Sequence, residues 1–185
     1  MNERLPPGQR WIDAPIVYDI ARVPPVDLSE YRLRITGAVE REISLSWQDL
    51  GSLRRVQLTR DFHCVTRWSV KDVRWEGVMT KVLIELVRPA ADVAWVMGQG
   101  RDGYATNVPY EYFVKEDSLL ATHMNGETLA PQHGYPLRLV IPSLYAWKSA
   151  KYVMELEFLT ALRRGFWEKH RYHDVGDPWC EERFR

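Results

Sequence analysis

Cysteine is scarce: the chain has two, Cys64 and Cys180, in 185 residues. That excludes a disulfide framework, although one bridge between the two stays open. An excess of either charge is missing as well, since 25 Lys and Arg balance 25 Asp and Glu. A balanced chain feels no global pull toward nucleic acid or an anionic bilayer, so neither is expected as a partner. No apolar run approaches the roughly 18 residues that a membrane span needs. The start, MNERLPPGQRW, is polar and proline-broken and matches neither a secretory signal nor a lipidation motif. A cytoplasmic location is the resulting expectation. There is no GxSxG nucleophile elbow, no CxxC pair, no internal repeat and no low-complexity stretch. Gly98, Gly100 and Gly103 have the spacing G-x-G-x-x-G, but YATNVPYEYF with Pro109 follows them. A dinucleotide site needs those glycines to open a helix, so none is expected here.

What is present is a globular composition, 45% apolar and 27% charged, in a length that suits one domain over residues 1–185. Residues 1–30 read as an extended arm, because Pro6, Pro7, Pro15, Pro24 and Pro25 deny them a helix. YRLRITGAV, 31–39, alternates as a half-buried strand ending at Gly37. Ser46 reads as the N-cap of a short helix, with Asp49 completing a capping box. RRVQLTRDF, 54–62, alternates again, VLIELV reads as a helix stopped by Pro89, and VAWVM at 93–97 as a strand. Further strands are expected in LRLVI, 137–141, and in YVMELEFL, 152–159. In the latter Tyr152, Met154, Leu156 and Phe158 would share one face. Many short strands with few helices predict an α+β domain dominated by sheet. Residues 160–185, aromatic and charged without periodicity, are expected to wrap the domain, and the eight tryptophans to fill core.

Two acid-free windows interrupt the charge balance. In FHCVTRWSVK, 62–71, Cys64 lies near Arg67 and Lys71, a local field that favours the thiolate, the form that acts as nucleophile or metal ligand. A small buried hydrophobe is the other reading of a free cysteine. Residues 128–154 also lack Asp and Glu but hold His133, Arg138, Lys148 and Lys151. Lys148 and Lys151 frame Ser149, where neighbouring backbone N–H groups could cradle a phosphate. A solvated basic edge is the alternative. His170, His173 and Cys180 are spaced loosely like zinc ligands but lack a fourth. Cys64 with His63, His123 or His133 could form a cysteine-hydrolase pair, without a local signature to support it.

HCVTRWS, then RWEGV, DGYATNVPYEYF and HGYPLRLVIPSLYAWKSAKYVMELEFL resemble, in that order, the molybdopterin domain of the sulfite oxidase family. The resemblance runs from about Tyr31 to Leu159, and GFWEKHRYH is similar to the tail of small bacterial members. It implies a sheet-rich sulfite oxidase-like molybdopterin-binding domain with short helices and an extended N-terminal arm. It also implies molybdenum–molybdopterin, a pyranopterin dithiolene, as cofactor, with Cys64 as the metal ligand. The matching positions for the cofactor are His133, Arg138, Ser149, Ala150 and Lys151, with Tyr18 from the arm and the backbone near Ala91 and Asp92. Arg67 matches a position that receives an oxyanion substrate, and Tyr104 lies in a segment that approaches the metal. The implied activity is oxygen-atom transfer on a small sulfur-centred substrate or oxyanion, with electrons passed to a separate electron-transfer protein. A sulfoxide-type reductase using the same site is the first alternative and a non-enzymatic molybdopterin carrier the second. The appended domains of larger relatives do not fit in 185 residues, and the start shows no twin-arginine signal.

Overall fold

A computed structural model describes residues 4–22 and 25–185; Pro24 of the expected arm lies outside the described residues. Two sheets organise the chain. One orders β1 (Arg10–Trp11), β5 (Trp68–Met79), β8 (Leu119–Met124) and β10 (Arg138–Val140), with β4 (Arg55–His63) on β5 and β9 (Glu127–Thr128) on β8. The other orders β3 (Ile43–Ser46), β2 (Arg32–Gly37), β11 (Val153–Leu159), β6 (Trp95–Gly100) and β7 (Ala105–Pro109). Helices are short: α1 (Trp47–Ser52), α2 (Thr80–Val87), α3 (Tyr110–Phe113) and α4 (Phe166–Lys169). This is the expected sheet-rich α+β domain. No helix among the described residues is long and apolar enough to cross a membrane.

The alternation in β2 places Leu33 and Ile35 in the core with no exposed surface, and burying such side chains stabilises by about 1.5–3 kcal/mol each. Ser46 caps α1 through the expected box with Asp49. β11 departs from its expected face. A bulge between Val153 and Glu155 resets the alternation, so Val153 is fully buried while Met154 is 37% exposed. The strand expected at 93–97 begins later, at Trp95, and runs through Gly98 to Gly100 into a hairpin with β7. The glycine-rich stretch is therefore sheet and turn.

Gly77 explains how β5 can lie between β4 and β8. A Cβ there would sit 1.9 Å from the Leu120 carbonyl oxygen, so only glycine allows this approach. The arm is more than an extended strap: Arg10 and Trp11 pair in parallel with Trp68 and Ser69. Two apolar clusters result, one centred on the β2/β11/β6 sheet and one around Phe62, Cys64, Trp68 and Trp75.

Candidate active site

β4 and β5 are joined by a tight loop that carries Cys64. The Cys64 N–H donates to the Trp68 carbonyl at 2.9 Å, the Arg67 N–H returns to the Cys64 carbonyl at 3.1 Å, and Arg67 takes φ +69° to close the turn. Gln9 of the arm adds a side-chain hydrogen bond to the Cys64 carbonyl at 2.9 Å. The Cys64 sulfur lines a cavity of about 550 Å³ and lies 3.2 Å from the Thr66 hydroxyl. Phe62, Trp68, Trp147, Trp167 and Tyr172 share that lining, so the thiol stands among neutral aromatic rings. Burial pushes the Cys64 thiol up, with Thr66 and Arg138 opposing. The local sequence field expected to favour the thiolate is absent, because Lys71 turns over the Trp11 ring at 4.7 Å. A thiolate here therefore needs a cation delivered to the cavity.

A second group in the same lining is charged. Arg138 is 8% exposed, and its guanidinium lies over the Phe62 and Trp75 rings at 5.1 and 5.5 Å. One Nη donates to the His133 carbonyl at 3.2 Å, while its buried Nε has no partner. Burial pulls Arg138 down to about 10, which leaves it charged at neutral pH. Burial, Arg138 and Lys151 all hold His133 below its ordinary value, so it is neutral at pH 7. Lys151 donates to the Tyr18 and Gln132 carbonyls at 2.8 and 3.1 Å and forms a short ion pair with Asp19. An orphaned buried donor beside a lysine and a histidine is a site shaped for an anion.

The model of the oxidoreductase molybdopterin-binding domain matches residues 20–167. The chain belongs to that family. It is 38% identical over 182 residues to the uncharacterized oxidoreductase YuiH of Bacillus subtilis strain 168, covering 98% of this chain and 92% of the relative. It is 28% identical over 163 residues to the protein-methionine-sulfoxide reductase catalytic subunit MsrP of Campylobacter jejuni, covering 79% of this chain. That match takes in 54% of MsrP, so the chain spans about half the length of this relative. The sulfane dehydrogenase SoxCD of Paracoccus pantotrophus superposes with a TM-score of 0.69 at 23% identity, over 80% of this chain and 42% of its own, and shares the fold.

Domains of this family bind molybdopterin, and the cavity fits that cofactor on its own chemistry. A soft sulfur donor, Cys64, and a buried cation, Arg138, line one space together with several aromatic rings. Of the expected residues, Cys64, Tyr104, His133, Arg138, Ser149, Lys151 and the half-exposed Tyr18 all line the cavity. Tyr104 is buried with its hydroxyl committed to the Trp147 carbonyl at 2.5 Å, and burial raises it well above the usual range, so it stays neutral. The Ser149 hydroxyl accepts from the Ile141 N–H at 3.0 Å. Ala150 is off the lining; its carbonyl accepts from Leu139 at 2.9 Å and ties the turn to β10. Ala91 and Asp92 are off it too.

Arg67 is exposed and does not line the cavity; its guanidinium lies beside Gly8, next to Glu181 and Arg183. Asp61 and Asp72, its nearest acids in sequence, are both engaged by Arg4. Lys148 is no anion ligand: it is fully buried, 2.6 Å from the Glu168 carboxylate and 2.7 Å from the Asn107 and Asp174 carbonyls. His173 accepts at Nδ1 from the Val175 and Gly176 amides, and no metal-holding cluster of His, Cys, Asp and Glu occurs among the described residues. Sequence reasoning missed Asp19, Gln9, Glu168 and Arg183, each brought in by tertiary structure without a local signal.

Proposed function

We propose that the chain is a molybdenum-cofactor oxidoreductase that moves an oxygen atom to or from a small sulfur-centred substrate and exchanges electrons with a separate electron-transfer protein. The observation that carries this reading is one cavity lined by both Cys64 and the buried Arg138, a cation whose Nε has no protein partner. Cys64 is assigned as the metal ligand; Arg138, His133 and Lys151 hold the cofactor's phosphate, with Ser149 and Ala150 shaping the turn beside it. The cofactor, when bound, supplies two-electron oxygen-atom transfer. This chain supplies the sulfur ligand, the anion clamp and a cavity walled in part by Trp68, Trp147 and Trp167.

Within this reading the lining suits reduction of a neutral sulfoxide better than oxidation of sulfite. Arg67 is turned away, and the remaining cations belong to the phosphate clamp, so near Cys64 a sulfite dianion meets aromatic rings and the Thr66 hydroxyl but no cation outside that clamp. Moving an unpaired anion into such surroundings is unfavourable, whereas a sulfoxide or thioether is neutral. The overall reaction balances as sulfoxide plus two electrons and two protons giving thioether and water. MsrP is named as a methionine-sulfoxide reductase, which supports the same reading.

The test uses holoprotein from a host that makes the cofactor. Turnover of methionine sulfoxide with a reduced dye is expected to exceed turnover of sulfite with an artificial acceptor. Cys64→Ser is expected to keep much of the pterin and lose turnover. Undiminished activity in that variant would refute the ligand assignment.

A further inference from the structure

We infer that Arg183, in the C-terminal tail, is a positioning residue for the loop that carries Cys64. The inference rests on the reading of Cys64 as the metal ligand. Arg183 is 6% exposed and lies over the Tyr145 ring at 5.0 Å. One Nη donates to the Val65 carbonyl and the other to the Pro7 carbonyl, each at 3.0 Å. A single planar guanidinium thus ties the residue after Cys64 to the arm, in a fixed geometry that an ammonium cannot reproduce. Two residues further along the arm, Gln9 donates to the Cys64 carbonyl itself at 2.9 Å.

These two side chains fix successive carbonyls of the loop, and both lie outside residues 20–167 that the family model matches. The turn they hold is constrained: Arg67 at φ +69° leaves the left-handed region as its closing conformation. The same guanidinium face rests on Tyr145, which stacks on Trp147 at 5.4 Å, and Trp147 lines the cavity beside Cys64. Arg183 therefore touches both the backbone that aims the sulfur and the ring stack behind it. Its Nε is buried without a partner and Glu181 stands 3.7 Å from its Nη2, so its main commitments are the two carbonyls.

The experiment compares Arg183→Met and Arg183→Lys holoprotein in a Cys180→Ser background, where Cys64 is the one remaining thiol. The readouts are the visible thiolate-to-metal absorption band and the rate of molybdenum release into a chelator. Arg183→Met is expected to shift the band and speed release about ten-fold, the size typical of residues that orient a metal ligand. Arg183→Lys, which reaches one carbonyl but not both, is expected to fall between Met and wild type. A residue that merely stabilises the tail lowers the melting temperature and leaves the band of the loaded protein unmoved; that result overturns the inference. Where Arg183→Met cannot be recovered folded, a wild-type band and release rate in Arg183→Lys overturns it equally. Cys64→Ser separates the two readings. If that variant keeps the band, the ligand assignment fails, and faster iodoacetamide alkylation of Cys64 in the metal-free Arg183→Met chain still decides the positioning role.

Discussion

Arg138 shows how one side chain can define a binding site. Its charge is buried over two rings, its Nε is unsatisfied, and the nearest histidine is held neutral beside it. Replacing it by Met removes the charge while keeping the shape. Arg138→Met is expected to weaken cofactor retention about 10- to 100-fold, the range of a charge-assisted hydrogen bond, read as pterin per protein after gel filtration. His133 gives a pH signature. Its folded-state value lies below the ordinary one, so the unfolded chain takes up this proton first as pH falls. The stability it contributes is therefore present above about pH 6.5 and declines below it. Denaturation midpoints of metal-free protein should drop as pH falls below about 6.5, and less steeply in His133→Gln. Arg138 and Lys151 were legible as an acid-free basic window. The direction of Arg67 was not, because its closest acids in sequence are captured by Arg4 from the far end of the chain.

At the level of elements, periodicity carried most of the fold. β2, α1 and β4 follow from alternation and a capping box, and they stand where those patterns lie. The face of β11 was misread because a bulge inserts a residue without any marker in its composition. Gly77 was visible as part of the Trp75–Gly77 step, but its reason is a close approach to the Leu120 carbonyl on another strand. Gly77→Ala is expected to destabilise the chain by about 3 kcal/mol, the upper end for overpacking, measured by urea denaturation. Because the clash is with backbone, no rotamer change relieves it.

Over the whole molecule, charges that look unbalanced in sequence are balanced in space. The window 128–154 has no acid of its own, yet Glu168 from α4 reaches Lys148 and Asp19 from the arm reaches Lys151. Glu168 Oε1 also accepts from the Trp147 indole at 2.9 Å and the Thr106 hydroxyl at 2.8 Å, joining the tail to the cavity wall. Lys148→Met would leave that carboxylate buried without its cation. A loss of about 3–5 kcal/mol is expected by denaturant titration, with partial recovery when Glu168→Gln is added. The arm and tail could be read from sequence only as extended or unpatterned, since what they do is set by distant partners. They supply Gln9, Asp19, Glu168 and Arg183, which together frame a site whose sulfur and cations lie in the middle of the chain.

The most direct measurement is molybdenum and pterin content of the full chain purified from a cofactor-competent host, wild type beside Cys64→Ser. The wild type is expected to hold about one molybdenum and one pterin per chain, with the cofactor supplying the redox chemistry and the protein holding it. Cys64→Ser is expected to keep pterin and lose the thiolate-to-metal absorption band. Wild-type protein carrying neither molybdenum nor pterin would contradict the reading of this cavity.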